Sequence, residues 1–215
     1  MNLAIDTFPV ERFGLVTGSK CTVMFPERGN GLVGMTTYAK QLANQKYFKF
    51  YDEKGGWQTE HGKMAEHFAR IHYEENFGEL LEGRFIVNGE CGGSTDAETE
   101  DTVIDFKSPT SLETWLDYLY FPLDKSQVDQ LQMYMMLTGK SKAKICAYLT
   151  ETNFMNDNGL VYPVPDKKRM IVIDVPKDET WEERLKEPLK FVIDKRDEFI
   201  KKLEKQFSEN ITQAG

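Results

Sequence analysis

Long helical patterns alternate with short β-branched runs along this chain, and their order constrains the fold more than any other feature. After a glycine-rich, loop-like stretch over 27–34, Met35–Tyr47 reads as a helix, with Thr36 or Thr37 near its start. A second loop around Glu53–Trp57, broken by Gly55-Gly56, leads to a helix from about Glu60 to Phe77, with Gly78 as its C-terminal cap. Three short strand candidates follow. Arg84–Asn88 is β-branched and aromatic, Cys91–Asp96 is irregular and glycine-containing, and Thr102–Lys107 is stopped by Ser108-Pro109. A helix is expected from about Ser126 to Thr138, ending at Gly139, then strands at Lys144–Thr150 and Arg169–Val175. The helical pattern from about Thr180 to Phe207 should kink or split at Pro188. This order predicts an α/β architecture: a central mixed sheet flanked by helices. A length of 215 residues suits a single domain over 1–215, with a core at about 10–175 and a helical region at about 180–207.

Composition excludes several classes. No apolar run is long enough to span a bilayer, and the N-terminal residues lack the basic-then-apolar pattern of a signal peptide, so a cytoplasmic location is expected. Cys21, Cys91 and Cys146 are odd in number and form no CxxC pair, which argues against a disulfide framework, a zinc ribbon or a cysteine-ligated cluster. His61, His67 and His72 lie six and five apart, spacings that do not share a helix face, so they are not read as metal ligands. The net charge of −8 is unusual for a chain that binds phosphate backbones. Carboxylates that hold a divalent cation would contribute to it, and the cation would reverse its sign locally.

The chemistry concentrates in Asp96 and in the segment Ile104-Asp105-Phe106-Lys107-Ser108-Pro109. Residues i and i+2 of a strand project to one face, so Asp105 and Lys107 emerge side by side at the end of an apolar strand. Asp96 reaches the same place if its segment pairs with that strand as a hairpin. Two converging carboxylates suit a hard divalent cation such as Mg²⁺, with the Phe106 carbonyl as a further oxygen. Lys107 could then hold, orient and help deprotonate the water that attacks a phosphodiester. An ordinary same-face surface ion pair has the same spacing.

Three further segments bear on that choice. Ala65, Phe68, Ala69, His72 and Tyr73 form the apolar side of the second helix, and Glu66 lies at its flank as a candidate ligand, direct or through water, or as a boundary glutamate. Gln130 and Tyr134 are four apart and share a helix face, where Gln130 could orient water or phosphate, or make an interhelix contact. Around Thr17-Gly18-Ser19 a helix could open toward phosphate, with Arg12 as a bidentate partner; an ordinary cap with a surface arginine fits as well.

Taken in order, these segments resemble the YqaJ-type viral recombinase family, which includes lambda exonuclease, within the PD-(D/E)XK nuclease superfamily. The N-terminal Arg12…Thr17-Gly18-Ser19, the helix Gly62…Glu66…Ala69…Tyr73, the core Thr95-Asp96…Asp105-Phe106-Lys107-Ser108-Pro109 and the helix Gln130-Leu-Gln132-Met-Tyr134-Met…Thr138-Gly139 each look like a motif of that family. The resemblance covers roughly residues 10–150. It implies a restriction-endonuclease-like core. It also implies Mg²⁺ (or Mn²⁺) held by Asp96, Asp105 and the Phe106 carbonyl, with Glu66 as a further acid. Lys107 would act on the nucleophilic water and Gln130 would support the site. Arg12 and Ser19 would contact the substrate phosphate, as would Tyr134. The implied activity is 5′–3′ digestion of linear double-stranded DNA, generating single strand for phage-type recombination. The implied partners are duplex ends, a single-strand annealing protein and two further copies in a ring-shaped trimer, in a phage-infected or prophage-bearing cell. Thr95 stands where the superfamily has proline, and residues 21–56 match nothing in the motif set.

Two alternatives keep the fold: another PD-(D/E)XK endonuclease, or a silent module that binds DNA ends without cutting. A CRISPR-associated adaptation nuclease would usually carry the clustered cysteines absent here. Trp57, Trp115 and Trp181 read as packing residues, as do Met133, Met135 and Met136. Lys140, Lys142 and Lys144 could contact DNA or form a solvated turn.

Overall fold

The computed structural model describes residues 10–25, 31–50, 57–151 and 161–212. In chain order its elements are β1 (Val16–Thr17), α1 (Gly31–Phe48), α2 (Trp57–Phe77), β2 (Leu81–Glu82), β3 (Phe85–Asn88), β4 (Cys91–Ser94), β5 (Ala97–Glu98), β6 (Thr102–Lys107), α3 (Leu112–Tyr120), α4 (Lys125–Thr138), β7 (Lys142–Tyr148), β8 (Met170–Pro176) and α5 (Trp181–Thr212). The residues gather into two compact units: 1–53, 87–92 and 179–215 in the first, 54–86 and 93–178 in the second.

The second unit is built on a mixed five-stranded sheet in the order β2-β5-β6-β7-β8. β6 and β7 run parallel and the other neighbours antiparallel. The expected mixed sheet flanked by helices is therefore present. β6 is buried along nearly its whole length, as its apolar run requires. Ile104, Phe106, Cys146 and Tyr148 face α2, meeting Ala69 and Tyr73. On the opposite face Ala147, Leu149 and Ile171 pack against Trp115 of α3, whose indole N–H donates to the Ala147 carbonyl at 3.0 Å. The alternation that sends Ile104 and Phe106 toward α2 sends Asp105 and Lys107 the other way.

Several expectations needed correction. α3 was not anticipated from the sequence. It is nine residues long, held at its start by a capping box between Ser111 and Thr114, where threonine replaces the usual glutamate and weakens the signal. α1 begins at Gly31, inside the stretch read as loop. Thr36 and Thr37 do not cap it; their hydroxyls donate back to the carbonyls of Leu32 and Val33 at 2.7 and 2.9 Å. Phe68 is 45% exposed and not part of the buried stripe of α2 that holds Ala65, Ala69, His72 and Tyr73. Gly139 does take the left-handed conformation, φ 73°, that ends α4.

In the first unit α1 packs along α5, and β1 pairs parallel with β4, Val16 opposite Cys91 and Thr17 opposite Gly92. α5 runs unbroken through Pro188. Buried Leu185 and Val192 bracket the proline on one face, so packing holds both halves in line across the missing N–H. Trp181 and Arg196 extend that buried stripe. Trp181 meets Phe25 at 5.6 Å between ring centroids. Arg196 is 1% exposed, and its guanidinium donates to the Gly14 carbonyl at 2.9 Å and to both Glu90 carboxylate oxygens at 2.6 and 3.2 Å. Replacing it would strand a buried carbonyl and a half-buried carboxylate together. Arg196→Met should destabilise the protein by about 3 kcal/mol, read from the midpoint of urea unfolding by circular dichroism.

Candidate active site

β5 pairs antiparallel with β6, Ala97 opposite Ile104 and Glu98 opposite Val103. This is the hairpin that Asp96 needed. It leaves Asp96 one step before β5, where its Oδ2 accepts the Phe106 N–H at 2.7 Å. Asp105 is 2% exposed, and its two oxygens have separate partners. Oδ2 meets the Lys107 ammonium at 2.6 Å, and Oδ1 accepts from Gln130 Nε2 at 3.1 Å. The same amide donates to the Tyr134 hydroxyl at 3.0 Å. β6 thus supplies a carboxylate and an ammonium from one face, and α4 supplies Gln130 and Tyr134 at helical spacing.

The electrostatics are those of like charges forced together. Burial raises the Asp96 carboxyl well above its ordinary range, and the nearby charges of Asp105 and Glu66 raise it further. Burial raises Asp105 too, against the pull of Lys107. Glu66 keeps much of its side chain in solvent, yet dense protein on one side and the Asp105 charge push its carboxyl up. Burial would lower the Lys107 ammonium, but the adjoining Asp105 and then Asp96 hold it above its ordinary value.

Among the described residues no three Asp, Glu, His or Cys side chains close into a ready-made metal shell. The donor set nevertheless fits a hard cation of the Mg²⁺ kind, which takes one or two protein carboxylates and completes its shell from water and substrate. Such a cation would also offset the like-charge repulsion felt by Asp96 and Glu66 and the burial of Asp105.

Arg12 and Ser19 belong to the first unit, Arg12 half-buried and Ser19 exposed. A helix does open at Gly18, as a 3₁₀ helix over Gly18–Met24, and Thr17 makes no side-chain cap. The Thr17 N–H instead donates to the Tyr38 hydroxyl at 3.0 Å. Lys140, Lys142 and Lys144 are each matched to an acid of the protein, Glu98, Asp101 and Asp174. Trp115 and Trp181 are packing residues, as expected, and Met133 and Met135 are fully buried. Trp57 opens α2, and its side chain lies outside the described residues.

Supporting residues escaped the sequence reading. Gly83 presses on the backbone of the Asp96 segment: a Cβ there would sit 2.0 Å from the Thr95 carbonyl oxygen and 2.5 Å from that of Asp96. Gly93 has the same relation to Tyr134, 2.6 Å from its ring. A glycine inside or beside a strand is the available signal of such close approach. Glu98 is buried at 3% exposure and gathers Thr95 Oγ1 at 2.9 Å, Arg84 Nε at 3.3 Å and Lys140 Nζ at 3.3 Å. Burial pushes its carboxyl up, but these three partners outweigh burial and hold it below its ordinary value.

No protein-family model matches the chain, and no curated protein matches it. Solved structures do. An alkaline exonuclease from Laribacter hongkongensis superposes with a TM-score of 0.74 at 17% identity, over 93% of this chain and 96% of that one, as does its complex with dAMP. A phage-related exonuclease from Haemophilus somnus 129PT superposes with a TM-score of 0.73 at 17% identity, over 88% and 96%. The chain has the fold of these exonucleases. In that exonuclease fold, Asp96, Asp105, Lys107, Gln130 and Tyr134 are brought to one place by β5, β6 and α4.

Two outcomes are expected. Gly83→Ala should push the Thr95–Asp96 backbone aside and cost about 2 kcal/mol of stability, read from the midpoint of urea unfolding. The depressed carboxyl of Glu98 contributes stability that is complete above the unfolded value of about 4.3 and is lost as pH falls through the lower folded value. Glu98→Gln should therefore lower Tm by roughly 4–8 °C at pH 7. That gap should shrink on acidification toward pH about 3, as differential scanning calorimetry would record.

Proposed function

We propose that this chain is a divalent-cation-dependent DNA exonuclease that digests linear duplex DNA from a 5′ end and leaves single strand for phage-type recombination. The observation that carries the reading is the meeting of Asp96, Asp105 and Lys107 at the end of the β5–β6 hairpin, on a chain with the exonuclease fold. Asp96, Asp105 and the Phe106 carbonyl would hold Mg²⁺, or Mn²⁺ in its place, with Glu66 as a further acid. When bound, the cation supplies Lewis-acid stabilisation of charge developing on the phosphate oxygens.

The chain's own groups perform the remaining tasks. Lys107, fixed by Asp105, orients the attacking water and lends it a positive neighbour. Gln130 fixes the other Asp105 oxygen and Tyr134 together, so that one helix sets the orientation of the carboxylate and of a phosphate-facing hydroxyl. Arg12 and Ser19 are assigned to the terminal phosphate. An annealing protein as recipient of the single strand and a homotrimer around the duplex complete the reading.

The experiment uses linear duplex DNA with a 5′ phosphate, in Mg²⁺ and then in EDTA, beside a 5′-hydroxyl substrate and closed circles. Linear DNA should be lost progressively only with the cation, and Lys107→Ala should slow that loss by at least about 10²-fold with an unchanged circular dichroism spectrum. Cutting of closed circles would make the chain an endonuclease. Retention of DNA ends without cleavage would make it a silent binding module.

A further inference from the structure

Lys107 also lines a cavity of about 490 Å³ whose other wall is α3 and the start of α4. Tyr118 and Phe121 contribute aromatic rings to it, and Asp117, Asp124 and Gln127 contribute polar groups. Phe121, at the end of α3, is 64% exposed, so its ring is open to a ligand entering the cavity. The Tyr118 ring is held in place by Gln127, whose amide donates to its hydroxyl at 2.9 Å. Asp124 is committed to α4, accepting the Ser126 N–H at 2.7 Å.

The charges sort what can enter. Among the described lining residues Lys107 is the one base, while Asp117 and Asp124 are acids. Asp117 and Asp124 repel a phosphate from the α3 wall, and Lys107, paired with Asp105, is the one described lining group that attracts it. A neutral, flat, partly polar group suits that wall: rings to stack on, and a carboxylate to accept from an amine. A volume of this size is ordinary for a small-molecule site.

We propose that this cavity receives the base of the nucleotide whose phosphate lies at Lys107, with Tyr118 and Phe121 as its stacking surface and Asp117 as an acceptor. The proposal rests on the nuclease reading and adds a subsite to it. Stacking tolerates any base, since every base has a π face, so the subsite grips each nucleotide in turn without choosing a sequence.

Two measurements decide it. The first needs no cleavage: titration of 2-aminopurine 2′-deoxyribonucleoside 5′-monophosphate in Mg²⁺, followed by its own fluorescence. Phe121→Ala should weaken binding about tenfold. Tyr118→Phe, which keeps the ring, should bind as the parent does, and so should Leu119→Ala, an exposed neighbour outside the cavity. Deoxyribose 5-phosphate, lacking a base, should compete equally well against the parent and Phe121→Ala. The second measurement places one abasic residue in a linear duplex. The parent should pause there, slowed about tenfold relative to an intact residue, and Phe121→Ala should show no extra delay at the abasic position. Equal binding of the nucleotide by the parent and Phe121→Ala, or an abasic pause of the same size in both, would overturn the base subsite while leaving the nuclease reading intact. Loss of the nuclease reading would appear separately, as intact linear DNA with the parent protein, and the titration would still decide the subsite.

Discussion

Two carboxylates and one ammonium meet at the end of β6, and the surrounding structure is arranged to make that tolerable. Asp96 and Asp105 are charged groups taken from water and set near each other, a combination that burial and repulsion both oppose. The opposition is met by specific donors: the Phe106 N–H for Asp96, and Lys107 and Gln130 for Asp105. Each donor comes from a regular element, so the hairpin, the buried strand and α4 have to be in register before the carboxylates can be kept. Beside this strained cluster lies its opposite. Glu98, with three donors around it, is a buried acid that favours its charged form and ties Arg84, Thr95 and Lys140 to β5. The stable carboxylate anchors β5, the strand that Asp96 precedes and that pairs with the strand carrying Asp105.

Much of this was legible in the sequence because periodicity fixes direction. TVIDFK alternates, so its acid and its base had to share a face, and the strand runs over the residues read from the pattern. Gln130 and Tyr134, four apart, had to share a helix face, and one amide joins them to Asp105. Glu66 beside the buried stripe of α2 does feel the charges of Asp105 and Lys107.

What escaped the sequence reading depended on contacts between segments far apart in the chain, or on weak local signals. Gly83 and Gly93 carry no side chain to announce a role; only the backbone of Asp96 and the ring of Tyr134 reveal why nothing larger fits. α3 hid between two prolines behind a capping box without its usual acid. Pro188 ordinarily ends or bends a helix, and only packing on both sides of it overrules that local rule. The lysines after Gly139 each pair with an acid from another strand or turn, partners that the local sequence does not announce.

The parallel pairing of β6 with β7 has a consequence for how such a chain comes into being. Asp105 lies opposite Ile145 and Lys107 opposite Ala147, across a crossover that contains two helices. A growing polypeptide that has reached Lys107 already owns Asp96, Asp105 and Lys107, yet the strand that buries one side of them has not been made. Loop closure across that crossover must precede assembly of the cluster. The charged groups of the hairpin are therefore made early in synthesis and enclosed late, when β7 docks beside β6.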